Sequence, residues 1–158
     1  MRTADLRQAY RNLLDEIDVG DFGPPPPGEL TAEELVAHLA ASDELLTSAT
    51  EAVLAGSPTA YYDLDTVHRP QLKAMIAEYG GLAGLATLLR ATSQRLCGLV
   101  DRLGPAGQTP VRSRIREGTD LVVDDLLPWE RVLDIHGRVH LPRHTAQLRK
   151  LRHNGGPG

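Results

Sequence analysis

The sequence predicts an all-α protein, a four-helix bundle with one short hairpin-like β excursion before its last helix. Three observations carry this. Four stretches repeat apolar residues at helical spacing, and Gly and Pro clusters fall between them. Hydrophobic residues are 41% of the chain but aromatics only 4%, so Leu, Ala and Val must fill the core, and Leu and Ala favour helix. The chain has 158 residues, the usual size of one domain, with no repeat at solenoid length, so residues 1–158 are expected to form a single bundle.

The first helix is expected over 3–17, where Leu6, Tyr10, Leu13, Leu14 and Ile17 share a stripe. Gly20, Gly23 and the four prolines from Pro24 to Pro27 stop it. A proline run favours polyproline II, and it reads as a stiff connector and not as a ligand for a recognition module. Thr31 with Glu34 has the form of a capping box and starts a second helix, which carries His38 in its second turn and runs to Gly56-Ser57-Pro58. Residues 61–79 are expected to be a helical connector, with Asp65 or Thr66 as cap and Pro70 in its first turn. The third long helix spans 82–103, between Gly80-Gly81 and Gly104-Pro105. Residues 111–125 alternate in the manner of a short hairpin turning near Glu117-Gly118. Pro128 then suits the first turn of a last helix anchored by Trp129, whose inner side carries Val132, Leu133, His136, His140, Leu148 and Leu151.

With a formal charge of -4 the chain has no overall positive field to draw a polyanion, and nucleic acid is not expected as a partner. Arg143, Arg149, Lys150 and Arg152 read as a solvated helix end whose cations complement the dipole. Cys97, the single cysteine, excludes an internal disulfide framework and a cysteine-based zinc site; on the third helix it reads as a small buried hydrophobe. The sequence carries no secretory signal or transmembrane stretch, so a cytoplasmic location, no membrane association and a small-molecule substrate are the expectations. Pairing into a homodimer through exposed helix faces stays open.

Six histidines stand at 38, 68, 136, 140, 144 and 153, and His136, His140 and His144 follow at intervals of four. Residues four apart on a helix project from adjacent turns on one side, the arrangement by which two imidazoles of one segment grip one ion. Such a pair alone is a modest signal, because histidine-rich surface helices exist. His38 strengthens it, since bundles build metal sites from facing helices and His38 shares a face with Leu35 and Leu45. Three imidazoles would leave positions open for water or substrate; zinc and nickel both suit nitrogen ligands. Pro142 sits between His140 and His144, where it must either kink the helix or begin a new one. A new start would spoil the pair.

Residues 30–43, LTAEELVAHLAASD, together with residues 136–151, HGRVHLPRHTAQLRKL, resemble the DinB/YfiT-like metalloproteins, whose actinobacterial branch includes the N-terminal domain of mycothiol-dependent maleylpyruvate isomerase. The resemblance implies an up-up-down-down bundle that binds a divalent metal through His38, His140 and His144. It also implies the chemistry of several relatives, thiol S-transfer or isomerisation with mycothiol or another low-molecular-weight thiol as cosubstrate. The isomerase has Glu where this chain has His140, which argues against maleylpyruvate isomerisation itself. The same ligands would serve a metal-dependent hydrolase, isomerase or cyclase, and a non-catalytic metal- or ligand-binding bundle is the competing class. Arg69, Arg138 and Arg143 are candidates to bind a carboxylate. Asp43 and His136 are candidates to orient a ligand, and His68 to close over the site.

Overall fold

The computed structural model describes residues 3–58, 60–63, 69–117 and 120–155; the expectations for Asp65, Thr66, His68 and Gly118 lie outside the described residues. The chain is mostly helical, with a small three-stranded sheet. Helix α1 is Thr3–Val19, α2 Ala32–Leu54, α3 Arg69–Tyr79 and α4 Leu82–Val100. The last helical stretch has three consecutive parts: α5 Trp129–Ile135, a π-turn His136–His140, and α6 Leu141–Gly155.

The helix boundaries follow the local chemistry. Thr31 accepts from the Glu34 amide at 3.1 Å while the Glu34 carboxylate accepts from the Thr31 amide at 3.1 Å, a complete capping box at the start of α2. Gly80 and Gly81 take φ of 76° and 98°, a region open to glycine, and α3 and α4 meet there at 102°. Pro70 lies in the first turn of α3, as expected. The proline connector is held at both ends. The Gly23 amide donates to the Leu151 carbonyl at 3.1 Å, and Arg69 donates to the carbonyls of Gly28 and Glu29 at 3.2 Å.

The stripes predicted from periodicity meet in one core. Leu6, Leu13, Leu35, Leu39, Leu46, Leu85, Leu89, Leu96, Leu133 and Leu148 are all fully buried. α2 packs along α4, and α1 lies against both α6 and α4. No single helix among the described residues is long and apolar enough to cross a membrane.

The β structure exceeds the expected hairpin. β2 (Pro110–Glu117) and β3 (Asp120–Pro128) pair antiparallel as the alternation predicts, but β1 (Tyr61–Asp63) adds a parallel strand to β2. An all-helical reading of 61–79 is corrected here. Three residues are too short for a period-two signal, and β1 earns its place through side chains: Tyr62 is buried edge-on against Trp129 at 5.8 Å, and Asp63 pairs with Arg114 at 3.6 Å. Trp129 in turn donates from Nε1 to the Thr50 hydroxyl at 2.9 Å, and its amide donates to Thr109, which ties the start of α5 to α2 and to the sheet.

Candidate metal centre

The last helix does not restart at Pro142, and it holds a π-turn just before it. Proline has no amide to give the Arg138 carbonyl, and its ring would crowd that carbonyl in a regular α-helix. The backbone responds one turn earlier with the π-turn, in which the Leu141 amide reaches back to the His136 carbonyl. Because a π-turn takes more residues than the 3.6 of an α-turn, His136 and His140 come nearly into line along the axis. The helix then continues unbroken through His144.

The consequence is a row of imidazoles that ends on α2. Ring centroids are 6.0 Å apart for His136 and His140, 5.6 Å for His140 and His144, and 5.6 Å for His144 and His38. His136 and His140 are buried; His38 and His144 are partly exposed, so the row opens toward the surface at that end. Burial, and then repulsion from neighbouring imidazoles, pushes the pKa of His38 down to about 4 and that of His140 to about 3. Burial holds His144 at about 4 against the opposing hydrogen bond with Gln147. All three are therefore neutral at pH 7, with lone pairs free of protons.

His144 also has a defined tautomer. Its Nδ1 is 3.1 Å from Gln147 Oε1, an acceptor, so Nδ1 carries the hydrogen and Nε2 carries the lone pair. A metal-binding histidine commonly donates its other ring N–H in this way. Zn–N bonds of about 2.0–2.1 Å would put the centroids of two imidazoles on one tetrahedral ion about 5 Å apart. The spacings here are slightly wider, and among the described residues no three His, Cys, Asp or Glu side chains converge on one point as they stand. The donor set, neutral, nitrogen-only and drawn from two helices, has the chemistry that suits a zinc- or nickel-type ion, although the three side chains do not meet on one point as placed.

Behind His136 lies a second group. Asp43 is wholly buried; Tyr10 donates its hydroxyl to Asp43 Oδ1, and Thr92 donates to Oδ2 at 2.8 Å. His136 Nε2 is 2.8 Å from the Tyr10 oxygen and 3.7 Å from Asp43 Oδ1. Asp43 thus orients His136 through Tyr10, and no contact carries it to His38. Tyr10 had shown itself only as a member of an apolar stripe, and Thr92 and Gln147 had given no signal at all.

Two of the arginine candidates have partners away from the histidines. Arg69 holds the proline connector and stands 3.6 Å from Glu34, and Arg138 pairs with Asp134 at 2.9 Å on the exposed side of the helix. Arg143 is exposed beside Pro142, and its charge bears on His140 and His144. Cys97 is buried, and burial raises its pKa to about 11, so it is an inert thiol at neutral pH. A groove of about 630 Å³ runs between α1 and α6, lined by Asp5, Asn12, Asp15, Pro142 and Arg149 among others; none of the histidines lines it. No protein-family model, curated protein or solved structure matches the chain.

Proposed function

We propose that this chain is a divalent-metal-dependent enzyme of the DinB/YfiT-like four-helix type, with His38, His140 and His144 as the ligands of its ion. The observation that carries the reading is the meeting of His38, from α2, with the His140/His144 pair in ring-to-ring contact, neutral at pH 7. Three adjoining imidazoles held neutral each keep one nitrogen lone pair, which suits a shared electron-pair acceptor.

A zinc or nickel ion with an open position lowers the pKa of a thiol or water that binds there, which serves thiol S-transfer and hydrolysis alike. The residues of the chain do the rest. Gln147 keeps the His144 tautomer, the apolar surroundings keep the imidazoles deprotonated, and the partly exposed edges of His38 and His144 leave an approach from outside. Thiol transfer, with mycothiol or a similar thiol as cosubstrate, is the preferred reaction on the strength of the sequence resemblance.

Elemental analysis of tag-free protein should give close to one zinc or nickel per chain, falling away in His140→Ala and His144→Ala. The metal-loaded protein should accelerate the loss of mycothiol in the presence of monochlorobimane over a metal-free blank. Absence of metal in the wild type would sink the site. Metal without acceleration would leave the site and remove the transferase, in favour of a hydrolase or a binding bundle.

A further inference from the structure

The hydrogen bonds behind the cluster fix more than the position of His136. A carboxylate only accepts, so the single hydroxyl proton of Tyr10 goes to Asp43. The Tyr10 oxygen is then the acceptor in its 2.8 Å contact with His136, and the hydrogen in that contact belongs to His136 Nε2. A neutral imidazole has one N–H. In the neutral ring Nδ1 is then a bare acceptor, and it is one of only two buried side-chain polar atoms among the described residues without a partner, the other being Arg114 Nε. Tyr10, Asp43 and His136 are all less than one-tenth exposed and come from three different helices, so the arrangement is closed off from solvent and tied to three elements.

Buried polar atoms are almost always satisfied, and an orphan held this firmly calls for a group that the free chain does not supply. His136 packs edge-on against His140, one of the proposed ligands. We propose that Tyr10 and Asp43 hold His136 in the Nε2–H tautomer, making its Nδ1 a fixed hydrogen-bond acceptor for an S–H, O–H or N–H group of the molecule bound at the neighbouring histidines. The recognition half rests on the proposed site, with the neighbouring histidines as the place where a molecule binds, and not on the ion; the tautomer half rests on neither. Tyr10 and Asp43 are positioning residues in this scheme, and His136 is the contact. The tautomer is the reverse of that of His144, whose Nδ1–H is taken by Gln147, so one helix presents two imidazoles by opposite nitrogens.

Long-range proton–nitrogen correlation spectra of the full chain labelled with nitrogen-15 histidine distinguish the tautomers, with His136→Gln identifying the signal. Metal-free wild type at neutral pH should show a single Nε2–H form at His136. Tyr10→Phe should give a mixture, whereas Trp129→Phe, which loosens the core at another point, should keep the wild-type pattern. A wild-type Nδ1–H or averaged signal overturns the inference, and so does an unchanged pattern in Tyr10→Phe. Titration with 2-mercaptoethanol, in metal-free and in zinc-treated protein, tests recognition: the Nδ1 resonance should move in at least one of them. Immobility in both overturns the recognition half. Movement in a protein that takes up no zinc supports it while removing the metal reading.

Discussion

Acid should unfold the metal-free protein through its histidines. In the unfolded chain His38, His140 and His144 titrate near the ordinary 6.5, while in the fold burial and mutual repulsion, with Arg143 adding to it at His140 and His144, hold them at about 4, 3 and 4. A folded pKa below the unfolded one means that the unfolded chain binds more protons below pH 6.5. Stability is therefore fully present above about pH 7 and falls as pH drops. At pH 5 each unfolded imidazole gains about 2 kcal/mol from protonation and each folded one almost nothing, so the three together remove about 6 kcal/mol. That is comparable with the whole stability of a domain. The figure depends only on the folded values lying well below 5. Urea unfolding of chelator-treated protein at pH 8, 6 and 5 measures it, and His144→Gln should lose about 2 kcal/mol less than wild type over the same range. A loss under about 2 kcal/mol in the wild type would refute the buried, neutral cluster.

Two further outcomes test the frame around the site. Trp129→Phe removes the Nε1–H bond to Thr50 and part of a fully buried ring, which together cost about 2 kcal/mol and lower the melting temperature by roughly 4–8 °C; an unchanged melt would mean that α5 is anchored by other contacts. With its pKa pushed up to about 11, Cys97 is thiolate in roughly one molecule per thousand at pH 8. Ellman's reagent should therefore find no fast-reacting thiol in the native protein and one per chain in urea, and rapid native labelling would contradict its burial.

The long helices were legible because each buries a continuous stripe and ends at a chemical signal. The Thr31–Glu34 capping box, the Gly80-Gly81 break and Trp129 as anchor all stand in the structure. The third long helix ends a few residues early, at Val100, because Gly104–Gln108 forms its own 3-10 turn. β1 was not legible: its pairing with β2 joins residues about fifty positions apart, and three residues carry no period. Pro142 signalled that regular helix is interrupted near the His140/His144 pair, and the interruption falls one turn before it, at His136–His140. Kink and restart were the two visible alternatives, and a π-turn accommodates the proline without ending the helix. The histidine row followed from spacing on one helix and one apolar face on another. The buried relay did not, since a tyrosine in an apolar stripe gives no sign that its hydroxyl will meet a carboxylate from another helix.

X-ray absorption at the metal edge tests the central claim most directly. Tag-free protein loaded with one equivalent of zinc should show three imidazole nitrogens at about 2.0–2.1 Å, with the remaining shell light, and His38→Ala should lose one of the three. A shell without imidazole scattering, or one unchanged in His38→Ala, would contradict a metal centre built from α2 and the last helix.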